Sequence, residues 1–570
     1  MAVGVRPQWT EKLYRPSGGQ DHLGLGSVSS DRILPKLAPG INVLTVHPRY
    51  WSLYTFVLDE FWRRDLPRTR RAFVEFYRPC EAIYAVGAQL CDQPEHERYG
   101  RLRGVVGAQK ASPYAAQNRE EFDPQFGYME SDLGGYGLYY ATTIAAMGLI
   151  APALPGTTLS FDAPTPEGRV VAAGFRSAVA DTVYYREYFA NLTRPVPAGV
   201  VRDYIRRACL CQLQTDTAPD RELLRDVFLH AGPEDAPTIR RATLRFLLDL
   251  ADQTNGTSLD EDAFRQLIYF RAHPDGATYH SRRGIQRTAR RWRLYQAREY
   301  YSYALNRLWA YLCAWGLDAS VGGSRPVPLT DLWDHAEAAL DFAQLVDSFD
   351  IDDPGFQATT PIVEVAAWAS EVANVAGTLD DRWDIQAPLQ EHALYRWSRG
   401  TSQGPATIPG MVTLLLLVVA RLGAPATAAD HAMDWDLVTE GGHARLAMSR
   451  FFVQERRQSM AGATIGQLLR VLYSDYVIRQ HQQVAVTKLP EDTYRFRREG
   501  DQLRFFQQHA EAVMNSSRFE ALATTIYELG FVEGLGNDTH ALSDAGQQLL
   551  DDGDLPDRPL SEALALQEQP

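Results

Sequence analysis

The stretch ATTIAAMGLI, residues 141–150, recurs near the other end of the chain as ATTIYELGFV, residues 523–532. After a polar interval, each stretch is followed by a Thr/Ser-x-x-Gly turn and a second apolar run, PTPEGRVVA (164–172) in the first copy and LSDAGQQLL (542–550) in the second. Each copy is typical of an apolar helix that ends at a glycine, followed by a helix that begins at a hydroxyl side chain. The sequence therefore predicts one helical module that occurs twice.

The order of elements in each copy resembles the recognition helix and wing of winged-helix domains. In that family a glycine ends the helix, and a small hairpin forms the wing. The matching positions are Gly148, Thr165 and Gly168 in the first copy and Gly530, Ser543 and Gly546 in the second. The resemblance implies two winged-helix-like modules. Two ordinary helix-loop-helix corners are the alternative.

The charge of the two copies indicates what such modules would bind. Neither 129–166 nor 519–557 contains a Lys or Arg. Proteins that read DNA with this motif place Arg or Lys on phosphates, and duplex DNA carries one negative charge per ~1.7 Å. We therefore expect the modules to dock other proteins, or a second copy of the chain, rather than to read a DNA groove.

Helical periodicity dominates the chain. In YWSLYTFVLDEFW (50–62) the apolar residues form one stripe at helical spacing, and Asp59 and Glu60 lie on the remaining face. Similar patterns predict further helices, among them 221–230, 261–270, 287–316 and 504–528. Strand-like alternation is best in TYRFRREGDQLRFF (493–506), which predicts a β-hairpin. The predicted fold class is mainly α: a multi-lobed helical protein with two winged-helix-like modules and a small β-hairpin near the C-terminus.

Its 570 residues exceed what one hydrophobic core usually organises. Loop signals predict five consecutive segments: an N-terminal arm (1–40), a helical region with the first module (41–195), a central helical domain (196–425), a C-terminal helical region with the hairpin and the second module (426–550), and a flexible acidic tail (551–570). No apolar leader is present, and the longest apolar run (411–423) is too short to span a bilayer. We expect a cytoplasmic protein without membrane contact.

The cysteines predict no metal site. Cys80, Cys91, Cys209, Cys211 and Cys313 form neither a CxxC pair nor a disulfide framework. Cys209-Leu-Cys211 could touch a metal only together with partners that the spacing does not locate. We therefore expect neither a metal nor another cofactor.

The segment SRRGIQRTARRWRLYQAR (281–298) concentrates positive charge in a chain of net charge −14. Guanidinium groups match phosphates with two parallel hydrogen bonds. The segment predicts contact with a DNA or RNA backbone through Arg282, Arg283, Arg287, Arg290, Arg291, Arg293 and Arg298. Internal ion pairing or plain solvation of these arginines is the alternative.

One short motif suggests catalysis. Arg225 and His230, in RDVFLH, resemble the Arg-polar-x-x-x-His motif of HEPN-type ribonucleases, which implies RNA cleavage at a dimer interface. The same residues also fit a plain amphipathic helix. A P-loop ATPase is disfavoured because none of the four lysines follows a glycine. We expect a chain without enzymatic activity, with the ribonuclease as an alternative.

A wider resemblance covers most of the chain. The order of 34–62, 130–144, the Arg-rich segment and 477–500 is similar to that in large uncharacterised bacterial proteins of anti-phage defence loci. This resemblance implies a scaffold or adaptor subunit of a multi-protein complex that senses or acts on nucleic acid in anti-phage or anti-plasmid defence. Its partners would be other subunits, such as an SMC-like or other ATPase or a nuclease, bound through the modules. A homodimer and a pure protein adaptor without nucleic-acid contact remain open.

Overall fold

The structure is a computed structural model of the chain. It describes residues 21–94, 96, 104–153, 159–214, 217–254, 259–273, 276–376, 383, 385–400, 404, 406–423, 434, 436–441, 446–488, 494–506, 512, 514–533 and 540–567. The chain divides into two compact units, each assembled from non-consecutive segments. We call them the repeat unit (35–265, 279–289 and 516–570) and the hairpin unit (1–34, 266–278 and 290–515).

The described elements are mainly helical. The α-helices are α1 (Leu25–Val28), α2 (Arg49–Arg63), α3 (Arg70–Gln89), α4 (Ala108–Gln117), α5 (Ala141–Ala146), α6 (Pro166–Val179), α7 (Ala198–Ala208), α8 (Arg221–His230), α9 (Ala236–Gln253), α10 (Glu261–Phe270), α11 (Gln286–Ala319), α12 (Leu329–Ala338), α13 (Ala343–Asp347), α14 (Ile362–Val372), α15 (Glu391–Gly400), α16 (Thr407–Leu422), α17 (Asp436–Thr439), α18 (Met448–Met460), α19 (Ile465–Val471), α20 (Arg479–Thr487), α21 (Phe519–Glu528), α22 (Asp544–Asp552) and α23 (Pro559–Gln567). The π-helical turns are Ser29–Ile33, Tyr136–Tyr140, Tyr184–Tyr188 and Leu472–Ile478, and the 3-10 turns are Leu34–Lys36 and Leu210–Gln214.

The strands are short and antiparallel. They are β1 (Glu121–Phe122), β2 (Ile150–Ala151), β3 (Ala163–Pro164), β4 (Val196–Pro197), β5 (Val327–Pro328), β6 (Phe496–Glu499) and β7 (Gln502–Phe505). They pair as β1-β4, β2-β3 and β5-β7-β6. The prediction of a mainly helical fold is confirmed. No helix in the described part of the chain combines the length and the apolar composition that a membrane span requires.

The hairpin unit contains the predicted β-hairpin. Strands β6 and β7 pair from Phe496↔Phe505 to Glu499↔Gln502, and Gly500 in the turn has a φ of 67°. The short strand β5 adds a third strand beside β7. Because residues 502–505 form a strand, the prediction of one helix over 504–528 is wrong in its first part, and helix α21 begins only at Phe519.

The repeat unit is organised around α2, whose residues are buried from Arg49 to Phe61. The polar face of α2, which carries Asp59 and Glu60, is also enclosed, because α6 packs across it. Arg176 of α6 donates to Asp59 at 2.5 Å and to Glu60 at 2.6 Å. These ion pairs satisfy two buried carboxylates that would otherwise oppose folding.

The first sequence copy folds into one hydrogen-bonded turn between α5 and α6. Gly148 has a φ of 73°, and the Leu149 N–H donates to the Ile144 carbonyl at 3.0 Å. The Thr165 hydroxyl donates to the Gly148 carbonyl at 2.8 Å and accepts from the Gly168 N–H at 3.0 Å. The Thr165 side chain therefore bonds both to the residue that ends α5 and to the first turn of α6.

The second copy repeats this turn between α21 and α22. Gly530 also has a φ of 73°, and the Phe531 N–H donates to the Ile526 carbonyl at 2.9 Å. The Ser543 hydroxyl donates to the Gly530 carbonyl at 2.6 Å and accepts from the Gly546 N–H at 3.1 Å. The repeated sequence is thus a repeated structure. The interiors of the two predicted wings, 154–158 and 534–539, lie outside the described residues.

The glycine in the first turn of α6 and of α22 is required by a close approach of the backbone. A Cβ atom on Gly168 would lie 2.0 Å from the Leu149 carbonyl oxygen, and one on Gly546 would lie 2.0 Å from that of Phe531. Both neighbours are backbone atoms, which cannot rotate away as a side chain can. Any larger residue would force the turn and the helix apart.

Two further features differ from the predicted segments. The two units combine distant parts of the chain, whereas the predicted segments are consecutive. The tail predicted to be flexible contains helix α23, which contacts α6 and α8. The buried Leu560 of α23 donates its N–H to Asp226 at 2.9 Å, and this contact holds the tail in place. Residues 1–20 of the predicted N-terminal arm lie outside the described residues.

We predict that Gly168→Ala and Gly546→Ala each lower the free energy of unfolding by about 1–3 kcal/mol, because the added methyl group overlaps a fixed carbonyl. Urea unfolding followed by circular dichroism measures the change. Gly199→Ala is the matched control, since a Cβ at this position of α7 would meet nothing within 4 Å. Equal urea midpoints for all three variants would contradict the importance of the close approach.

Candidate functional site

The two copies of the turn differ in exposure. In the second copy, every residue of α21 from Ala521 to Glu528 is buried. In the first copy, α5 exposes Thr142 and leaves Ala141, Ala145 and Ala146 half-buried. The first helix of the second copy is therefore enclosed from Ala521 onwards, whereas that of the first copy is partly exposed.

A group of exposed aliphatic side chains lies beside α5. Val43, Leu44 and Leu138 are 50%, 58% and 49% exposed, respectively. Asn42 holds the segment by donating to Thr143 at 3.1 Å, and its side-chain oxygen accepts the Leu44 N–H at 2.8 Å. We call Val43, Leu44 and Leu138 the aliphatic patch. These hydrogen bonds tie the segment at Asn42 and Leu44 to α5.

The seven arginines predicted to bind nucleic acid have different environments. Arg293 and Arg298 are 1% and 0% exposed, because α11 is covered on all sides in this region. The Arg293 guanidinium stacks on Trp383, and Arg298 donates to the Leu25 carbonyl at 3.1 Å. Burial lowers the pKa of Arg298. The prediction needs correction for these two residues, since neither can reach a phosphate from an enclosed position.

Two of the remaining arginines form internal ion pairs. Arg282 binds Asp252 at 2.5 Å and Asp249 at 3.4 Å, and Arg291 lies 3.1 Å from Asp434. Arg283 and Arg287 are exposed, and Arg290 is half-buried. Arg283 and Arg287, both in the repeat unit, keep the surface position that phosphate contact requires.

Arg225 has a structural contact in the second copy. Its Nε donates to the Leu529 carbonyl at 2.9 Å, and its guanidinium lies 5.4 Å from the centre of the Phe531 ring. It also pairs with Glu222 at 2.7 Å. Arg225 thus satisfies a carbonyl at the end of α21, where the helix has no partner of its own for it.

His230 lies between two carboxylates. Its Nδ1 is 2.6 Å from Asp226, and its Nε2 is 2.7 Å from Asp554. Burial opposes ionisation of Asp554, but the hydrogen bond and charge of His230 outweigh it, so the pKa of this carboxyl is lowered. Both ring nitrogens of His230 are thus engaged by carboxylates.

A small cavity of about 160 Å³ lies next to Arg225. Four carboxylates line it, from Glu222, Asp226, Asp544 and Asp557. Such a lining disfavours an RNA phosphate, which carries the same charge. The ribonuclease alternative remains a prediction. The hydrogen bonds and ion pairs described above give Arg225 and His230 a structural role.

Four metal-ligating side chains meet elsewhere in the repeat unit. The ligand atoms of Cys91, His96, Cys209 and Cys211 all lie within 4.8 Å of one another. The sulfur atoms of Cys91 and Cys211 are 3.7 Å apart, and His96 Nδ1 is 3.2 Å from the sulfur of Cys209. We call these residues the cysteine cluster. They could hold one metal ion.

Two helix ends bring the cluster together. Cys91 follows the end of α3, and Cys209 follows the end of α7. The helices approach closely at Gly87, where a Cβ would lie 3.2 Å from atoms of Val201 and Ile205. The 3-10 turn that follows α7 then carries Cys211 back towards Cys91. The close approach at Gly87 therefore positions ligands from distant parts of the sequence.

Buried polar groups fix the backbone beneath the cluster. Arg49 donates to the Cys209 carbonyl at 2.5 Å, and Tyr84 donates to the Ala208 carbonyl at 3.1 Å. Arg49 is itself held by Asp220 at 3.3 Å. The Gln212 side chain lies 3.7 Å from the sulfur of Cys211 and can donate to it. The backbone at Cys209 is therefore held in place by these hydrogen bonds.

The pKa values of two thiols of the cluster are shifted in opposite directions. Hydrogen bonds from Cys209 and Cys211 lower the pKa of Cys91, whereas burial raises the pKa of Cys209. The sequence interpretation missed the set because Cys91 precedes Cys211 by 120 residues. The available signal was a Cys-x4-His spacing at Cys91 and His96, to be combined with Cys209-Leu-Cys211.

Comparison with known proteins identifies no relative: no family model, curated protein or solved structure matches the chain.

Proposed function

We propose that the chain is a non-enzymatic adaptor subunit of a bacterial multi-protein complex that senses or acts on nucleic acid, in defence against phages or plasmids. The observation that carries the proposal is the unequal exposure of the two copies. Helix α21 is enclosed, whereas α5 lies beside the exposed aliphatic patch. The first copy supplies the docking surface, and the second copy stabilises the repeat unit.

The chemistry of the aliphatic patch favours a protein partner over nucleic acid. Glu130 and Asp132, on the segment that leads to Leu138, are exposed, and 129–166 contains no Lys or Arg. A polyanion would be repelled here, whereas a partner with apolar side chains and a basic rim would be attracted. Because hydrogen bonds already fix Asn42, docking would cost little conformational entropy.

The defence context rests on the resemblance of the ordered segments 34–62, 130–144, 281–298 and 477–500 to proteins of anti-phage loci. The contact with nucleic acid is assigned to Arg283 and Arg287. Both are exposed, and they occupy the most basic segment of an otherwise acidic chain. Two arginines make a weak and salt-sensitive phosphate contact on their own. Such a contact suits a subunit that assists nucleic-acid binding by a larger complex.

We predict that proteins encoded by adjacent genes form a complex with this chain, and that Leu44→Asp with Leu138→Asp abolishes it. The new carboxylates would remove apolar contact and leave unpaired charge at the interface. Co-expression followed by size-exclusion chromatography with light scattering measures the complex. Val453→Asp with Met460→Asp is the matched control, since these α18 side chains are 60% and 80% exposed. Loss of the complex in both pairs, or in neither, would contradict a docking surface at the aliphatic patch.

We predict that Arg283→Ser with Arg287→Ser weakens binding of labelled single-stranded DNA or RNA and makes it less dependent on salt. The slope of log K against log salt should fall by about 0.7 for each lost phosphate contact on a single strand. Fluorescence anisotropy over a salt series measures this slope.

Arg456→Ser with Arg457→Ser is the control for that experiment, because both residues are exposed and their loss changes the net charge equally. Equal salt slopes in the two double variants would show that Arg283 and Arg287 make no phosphate contact. The RNA is also examined for length after incubation. Shortening that His230→Ala abolishes would favour the ribonuclease alternative instead.

A further inference from the structure

We propose that Cys91, His96, Cys209 and Cys211 bind one zinc ion, and that this ion is a structural component of the repeat unit. The proposal is independent of the adaptor function. It rests on the type of donor atoms, their separation and the elements that they connect.

The separations fit a tetrahedral zinc site. Two sulfur atoms that each lie ~2.3 Å from a zinc ion are about 3.8 Å apart at the tetrahedral angle. The sulfur atoms of Cys91 and Cys211 are 3.7 Å apart, and His96 directs its Nδ1 towards the sulfur of Cys209. All four ligand atoms lie within 4.8 Å of one another, so a small displacement brings them to one ion.

The donor set and its tetrahedral spacing favour zinc among the common metals. Three thiol sulfurs and one imidazole nitrogen are soft or borderline ligands, which suit zinc and exclude calcium and magnesium. Asp92, which follows Cys91 in the sequence, is held at 2.9 Å by Arg206. Four protein ligands complete the tetrahedral shell and leave no position for water or substrate. The site is therefore structural rather than catalytic.

The ion would connect three structural elements, and the described hydrogen bonds provide only some of the contacts between them. It would link the end of α3, the end of α7 and the 3-10 turn Leu210–Gln214. That turn contacts α2 and α21. Zinc bound here would thus stabilise the turn that packs against α21, the enclosed helix of the second copy. The buried Arg49 and Tyr84, which hold the carbonyls at Cys209 and Ala208, fix the orientation of the ligands.

A disulfide is the competing use of the same atoms. The sulfurs of Cys91 and Cys211 are near enough that an oxidant which removes two electrons and two protons could join them after a small movement. A disulfide would leave only Cys209 and His96 as ligands, so it excludes the proposed site. The experiment must separate these two states.

The test measures metal in the purified full-length chain by inductively coupled plasma mass spectrometry, after expression with added zinc and purification under reducing conditions. We expect about one zinc per chain, in line with a single four-ligand site. Cys91→Ser and Cys211→Ser should each lower the zinc content strongly. Cys80→Ser should not, because Cys80 is a buried thiol of α3 outside the cluster, and it donates to the Phe76 carbonyl as a serine can.

A second pair of variants keeps the test informative if a serine variant misfolds. His96→Cys retains four zinc ligands and should keep the metal, whereas His96→Ala should lose most of it. Exchange of zinc for cobalt(II) in the unaltered chain should produce the visible absorption of tetrahedral cobalt thiolate. Zinc far below one per chain in the unaltered protein would overturn the proposal. An intact mass lower by two hydrogen atoms, with Cys91 and Cys211 joined, would do the same.

Discussion

The contact between a glycine in the first turn of a helix and a backbone carbonyl is the constraint on which the repeat unit depends. At Gly168 and Gly546 the helix approaches the preceding turn so closely that no side chain fits. This contact fixes where α6 and α22 begin. Helix α6 then covers α2 and brings Arg176 to two buried carboxylates, while the chain after α22 returns to α8. A backbone contact thus determines which side chains can meet in the core.

The two copies of the turn differ in their surroundings. In the first copy α5 stays at the surface, beside aliphatic side chains that a partner could cover. In the second copy α21 is enclosed, and Arg225 donates a hydrogen bond to the Leu529 carbonyl at the end of this helix. The segment 41–47 contacts both copies, through Asn42 to Thr143 and through His47 to Glu528. Docking at the first copy would therefore act on a segment that also contacts the second.

Local structure could be predicted from the sequence where one chain segment determines it. Helices 221–230 and 261–270 have the predicted bounds, and the hairpin at Gly500 forms as its alternation indicates. Features that depend on neighbouring elements could not be predicted in this way. Arg293 and Arg298 are buried because other elements surround α11. The cysteine cluster depends on how α3 packs against α7 at Gly87, and no short spacing contains that information. Whether a charged residue faces solvent or the core is decided by tertiary contacts.

The two copies of one turn divide into a surface module and an internal one. Hydrogen–deuterium exchange of the free chain, measured by mass spectrometry and corrected for intrinsic rates, tests this division. Amides of α21 should exchange only when the repeat unit unfolds as a whole, and so more slowly than those of α5, which can open locally. Exchange of α21 at the same rate as α5, or faster, would contradict the division of roles.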